Sequence, residues 1–138
     1  MAKLAKREKR IKIETYAQLK RKADKVCSDY VRERDNWTCI TCGHVGNKLD
    51  TDCGHYIERD KMGTRFDEKN CNAQCKNCNI WKKGNLRIYA TRLEAKYGQG
   101  ILQELEDKAA TGKGKVPRAF LIEVISYYTE KLQQLKNN

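Results

Sequence analysis

Two Cys-x-x-Cys pairs, Cys39/Cys42 and Cys75/Cys78, bracket the middle of the chain and limit its possible folds more than any other feature. Thiolates at this spacing wrap one side of a tetrahedral zinc ion, and a second pair from a distant turn closes the site. Zinc on Cys39, Cys42, Cys75 and Cys78 would therefore pin two remote segments together. Four thiolates leave the ion no open position, so the metal is structural and any catalysis lies elsewhere. The 32 residues between the pairs, 43 to 74, exceed the roughly 15 to 20 of a simple zinc ribbon. The insertion carries the run Asp52-Cys53-Gly54-His55-Tyr56.

A metal staple suits a chain of 138 residues with 39% apolar residues and a mean hydropathy of −0.87, which can build only a modest core. The net charge of +11 and a pI near 9.4 point to a polyanionic partner, nucleic acid first and an anionic membrane surface second. No apolar run approaches the roughly 20 residues of a bilayer span, and the first residues lack the apolar centre of a signal peptide. A soluble, cytoplasmic protein is expected. Seven cysteines without an export signal favour metal over disulfides. Cys27, Cys53 and Cys71 have no spacing partner and read as small buried side chains, with no chemistry assigned.

The chain divides into a basic arm and helix (1–34), a central metal-stapled core (35–85) and a helical remainder (86–138). Residues 1–34 hold 12 of the 29 Lys and Arg against five acids. From Thr15, Tyr16, Leu19, Ala23, Val26, Cys27, Tyr30 and Val31 recur at the helical period, predicting a helix that ends near Asp35-Asn36. Trp37 to Gly43 reads as a short strand entering a knuckle, with His44 an exposed loop residue beyond it. Lys48 to Arg59 suggests a hairpin around Gly54, and Asp60 to Asp67 a polar connection. A helix opens at Asn79 and breaks at Gly84. Further helices are predicted from Leu86 to Gly98, from Ile101 to Gly112, and from Pro117 along the stripe Leu121, Val124, Ile125, Tyr128, Leu132, Leu135. That stripe faces an internal core or a second subunit.

Phosphodiester hydrolysis needs a base to deprotonate water and a divalent cation to offset charge growing on phosphate. His55, with an ordinary pKa near 6.5, suits the first role. Asp52 and Asn79 offer the oxygen donors that magnesium prefers.

The order of these motifs resembles the HNH, or His-Me finger, nucleases: Cys39/Cys42, then Asp52 and His55, then Asn70, then Cys75/Cys78-Asn79 and Lys82. A closer resemblance runs through Tyr30-Val-Arg-Glu-Arg-Asp35, Cys39 to Gly43, Asp52 to Tyr56, Arg65-Phe66, Asn70, Cys75 to Asn79 and Lys82 to Leu86. It is to the NinG/Rap recombination nucleases of lambdoid phages, whose core is in turn similar to phage endonuclease VII. The resemblance implies an α+β fold, a zinc-stapled ββα-metal core with flanking helices. It implies metal-dependent cleavage of branched DNA, Holliday junctions and D-loops; symmetric junction cleavage takes two cuts, so a homodimer is expected, with the terminal helices as the contact. His55 would be the general base, Asp52 and Asn79 the ligands of magnesium or manganese, and Asn70 an orienting residue. Lys82, Lys83, Arg65, Arg34 and Arg32 would lie against DNA. Many HNH proteins place the acidic ligand directly before the base, where this chain has Gly54, so Asp50 is the fallback for Asp52. The alternatives are a non-catalytic zinc DNA-binding module and a nicking HNH enzyme without junction preference.

Overall fold

A capping box starts the first helix, α1 (Tyr16–Arg34): the Thr15 hydroxyl accepts from the Gln18 backbone, and the Gln18 amide oxygen accepts from that of Thr15. The computed structural model describes residues 13–111 and 114–138. The basic residues 1–12 and the Gly112 helix stop lie outside the described residues. Five of the periodic positions of α1, Leu19, Ala23, Cys27, Tyr30 and Val31, are buried. Their partner is α5 (Arg118–Lys136), which brings Leu121, Val124 and Tyr128 to the same cluster. Tyr30 and Tyr128 stack with ring centroids 5.5 Å apart. The last helix thus spends most of its stripe on the first helix, inside the chain, while Leu135 near its end stays exposed. Each fully buried leucine in this seam contributes on the order of 1.5–3 kcal/mol.

Across one side of the helix pair lies a two-stranded antiparallel ribbon, β1 (Thr51–His55) and β2 (Cys71–Cys75), in the register Thr51↔Cys75, Cys53↔Ala73, His55↔Cys71. This corrects the hairpin expected around Gly54, which is paired with Asn72 in mid-strand. The glycine serves contact rather than turning: a Cβ there would sit 2.2 Å from Oε1 and 2.9 Å from Cβ of Gln74. Gly54→Ala should cost about 1–3 kcal/mol through overpacking. Chemical denaturation checks this, and an unchanged midpoint would mean that Gln74 moves aside freely.

The strand expected at Trp37 to Gly43 is reduced to a single bridge, Thr38↔Val45, because the chain folds into the knuckle turn at once. The polar connection contains a short helix, α2 (Met62–Arg65), with Met62, Thr64 and Arg65 buried. A π-helical turn (Asn77–Trp81) follows β2 where an α-helical start was expected. It gives way to three left-handed residues, Lys83, Gly84 and Asn85, before α3 (Leu86–Tyr97). Helix α4 (Ile101–Thr111) packs on α3 through Tyr89, Leu93, Ile101 and Leu105. The Tyr89 hydroxyl, fully buried, donates to the Gly54 carbonyl at 2.7 Å and ties α3 to the ribbon. The described residues are helix-rich, with one small sheet. No described helix is long and apolar enough to cross a membrane.

Candidate metal centre and polar cleft

The two knuckles meet as the sequence spacing requires. The sulfurs of Cys39, Cys42, Cys75 and Cys78 all lie within 4.8 Å of one another, those of Cys42 and Cys75 at 3.6 Å. Cys39, Cys75 and Cys78 are buried, whereas Cys42 is on the solvent side. Two of the sulfurs accept N–H bonds: the Cys78 backbone N–H donates to the Cys75 sulfur at 3.4 Å, and the Asn85 amide to that of Cys78 at 3.7 Å. Burial raises the Cys39 thiol, but the Thr41 hydroxyl and neighbouring backbone N–H groups outweigh it and bring it down to about 6. Burial, with the neighbouring thiols, pushes Cys75 up to about 12. Four convergent sulfurs, one already inclined to ionise, can hold a tetrahedral metal such as zinc.

Beside this centre, on the edge of β1, opens a cleft of about 810 Å³ lined by Asp52, Cys53, His55 and Asn79 from the central segment. Helix α1 contributes Arg21, Asp24, Lys25, Cys27 and Ser28 to its wall. Asp52 Oδ2 accepts from the Asn79 amide at 3.1 Å, and Oδ1 from Lys76 at 2.7 Å. The π-helical turn therefore carries Asn79 back over β1. Asp50 is not interchangeable with Asp52. It accepts from the Asn47 backbone at 2.6 Å and contacts His44 at 3.0 Å, within its own loop.

Gly54 leaves no room for an acid directly before His55, because Gln74 covers that position. Asp52 and His55 both reach the cleft that opens at the edge of β1.

His55 Nε2 lies 2.9 Å from the Arg65 carbonyl. A carbonyl only accepts, so Nε2 carries the proton and the neutral ring keeps its lone pair on Nδ1. Burial lowers the pKa of His55 below the ordinary value and favours that neutral form, against the pull of the Arg65 carbonyl. Asn70 stays out of the cleft. Fully buried, it donates to the carbonyls of Ile57 and Thr64, each at 3.1 Å, and accepts from the Ile57 N–H at 2.8 Å. It braces the loop whose Arg65 carbonyl holds His55.

Of the five cations read as DNA contacts, three are spent internally. Arg34 forks onto Asp35 and donates to the carbonyls of Glu68 and Cys71. Arg65 grips Asp24 with two nitrogens, at 2.8 and 2.6 Å. Arg32 pairs with Asp29 and lies over Trp37. Lys82 and Lys83 are exposed beyond the π-helical turn. Arg21, Lys25 and Arg59 also line the cleft, Lys25 paired with Asp29 and Arg59 with Asp24. The spacing of Arg21, Lys25 and Ser28, one helical face, is the sequence signal for this wall.

The fold and site define a small, strongly basic, helix-rich protein built on a four-cysteine cluster that can hold a metal. The chain belongs to the NinG family: the family model described as bacteriophage lambda NinG protein matches residues 1–138. It is 32% identical to protein ninG of Escherichia phage 933W over 120 residues, covering 86% of this chain and 58% of that protein. It is 31% identical to protein ninG of Escherichia phage lambda over 120 residues (86% and 57%) and 30% identical to that of Salmonella phage P22 over 120 residues (86% and 58%). The chain thus spans less than two thirds of the length of these relatives. No solved structure matches it at a significant level.

Proposed function

We propose that the chain is a metal-dependent endonuclease of the HNH type that cuts branched DNA during phage recombination, with His55 as general base. The observation that carries this reading is the meeting of Asp52, Asn79 and His55 in one cleft, Asp52 and Asn79 in direct contact. A carboxylate and an amide are hard oxygen donors suited to magnesium or manganese. Asp52 would hold such an ion through its carboxylate. Asn79 would hold it through Oδ1, which the opposite amide rotamer turns toward Asp52. When bound, the ion offsets the charge growing on phosphate and leaving oxygen. The chain's own share is to keep His55 neutral by burial and to fix its tautomer through Arg65. His55 Nδ1 takes the proton of the attacking water, leaving 5′-phosphate and 3′-hydroxyl ends.

Arg21 at the cleft, with Lys82 and Lys83 beyond it, would supply phosphate contacts that read shape and charge rather than bases, and Lys25 and Arg59 would join them on leaving Asp29 and Asp24. A junction needs two cuts, so two chains act together on it. The α1–α5 stripe is already buried within one chain, which leaves the pairing to other surfaces.

The test compares a four-way junction with a linear duplex of the same arms, in magnesium, for wild type and Asp52→Ala. Wild type should cut the junction faster, and the variant should lose cutting while still shifting DNA. Equal cutting of both substrates would remove the branched-DNA preference, and binding without any cutting would leave a zinc-stapled DNA-binding module. Light scattering on the junction complex should show two chains, and a single chain would count against paired cutting.

A further inference from the structure

Under His55 lies a second set of soft ligands, distinct from the knuckle cysteines. Cys53 and His55 leave the same face of β1, and Cys71 stands across the ribbon from His55. The sulfurs of Cys53 and Cys71 and a ring nitrogen of His55 all lie within 4.8 Å of one another. From the opposing side α1 brings Cys27, 2% exposed, into the same buried cluster as Cys71, with Cys53 packed against it. Three elements that are remote in sequence thus deliver three sulfurs and one imidazole to one place.

Tetrahedral zinc, with bonds of about 2.0 to 2.3 Å, wants its donors about 3.5 Å apart. Closing the trio of Cys53, Cys71 and His55, whose donors lie within 4.8 Å of one another, requires side-chain shifts on the order of 1 Å, and Cys27 completes the set by swinging in from α1. Three thiolates and an imidazole are the donor set of closed zinc sites, and thiolates select zinc or cadmium over magnesium. An entry path exists as well: Cys27, Cys53 and His55 all line the cleft, while Cys71 is fully buried behind them. Small apolar side chains would fill this part of the core as well as thiols do, and would bring no affinity for metal.

We propose that Cys27, Cys53, Cys71 and His55 form a second, thiophilic metal site that takes zinc or cadmium from the cleft, in addition to the knuckle centre. Uptake replaces the thiol protons, which leave to solvent. An ion there engages the imidazole that otherwise serves the cleft, so occupancy switches the base off; that consequence rests on the role proposed for His55, whereas the site does not.

Metal content measures the site directly. Wild-type protein equilibrated with zinc and desalted should carry two zinc ions per chain, and Cys53→Ala and Cys71→Ala should each carry one. Replacing zinc by ¹¹³Cd²⁺ should give two resonances, one at the position of four sulfur ligands and one shifted by nitrogen ligation; His55→Ala should move only the second. One ion per wild-type chain, or two ions in both cysteine variants, overturns the proposal. If either variant fails to fold, the wild-type count and the two ¹¹³Cd resonances decide alone, and two resonances both of the four-sulfur kind also overturn it. Protein that cuts DNA yet holds a single ion loses this site and keeps the nuclease reading; protein that holds two ions and cuts nothing does the reverse.

Discussion

His55→Ala and His55→Gln should each lower magnesium-dependent DNA cleavage by about 10²–10⁴-fold, the usual worth of a positioned general base, while DNA binding persists. The glutamine variant is the sharper of the two. Its amide can donate to the Arg65 carbonyl as His55 Nε2 does at 2.9 Å, so the loop from Ile57 to Arg65 keeps its support and only the basic lone pair is lost. Cleavage at the wild-type rate by either variant would remove His55 from the chemistry.

The pH dependence follows from the same burial. Desolvation lowers the pKa of His55 below 6.5, so the rate should rise with pH along a limb centred below the ordinary imidazole value and then level off. The folded state binds this proton less tightly than the unfolded chain does. Its contribution to stability is therefore present above the unfolded value and is lost as pH falls through the lower folded one. A limb centred above 6.5 would mean that a different group is being titrated.

Much of this arrangement is legible in the residues, and the exceptions share a cause. The helices from Tyr16, Leu86, Ile101 and Arg118 follow from apolar period and from the caps at Thr15, Pro117 and Gly98, because those signals are local. The cysteine centre is legible because its chemistry demands its spacing. Gly54 was misread because a glycine signals a turn unless something covers it, and Gln74, its neighbour across the ribbon, is twenty residues away. The internal pairing of Arg32, Arg34 and Arg65 is hidden for the same reason. Charge counting cannot show that Arg65 is claimed by Asp24, forty-one residues earlier, or Arg34 by the carbonyls of Glu68 and Cys71. Cys27, Cys53 and Cys71 lack a spacing pattern because three separate elements carry them. Asp52 stands ahead of Asp50 already in the motif order, and the π-helical turn adds the contact with Asn79 that no spacing could show.

Stripping the metal, or replacing Cys78 with serine, should abolish the cleft and leave part of the helical body standing. A structural zinc ion is worth roughly 10–16 kcal/mol of apparent binding energy at neutral pH, comparable to or larger than the 5–15 kcal/mol that holds a typical domain together. Here that energy is local. The knuckle cysteines form their own buried cluster, separate from the one that joins α1 to α5. Chelation should therefore release residues 37–45 and 75–85, and with them Asn79 and the end of β1, while α1 and α5 keep their shared core. Trp37 reports on this, because it lies half-buried under Arg32 just before the first knuckle, whereas Trp81, at the end of the turn after the second, is already 81% exposed. Trp37 fluorescence should change fully on chelation, with only a partial loss of helical circular dichroism, and cleavage should stop. Zinc added back should restore all three signals in wild type, and in Cys78→Ser none of them fully, since the substituted position is completely buried. A metal-free protein with unchanged fluorescence and activity would show that the four sulfurs are not the staple.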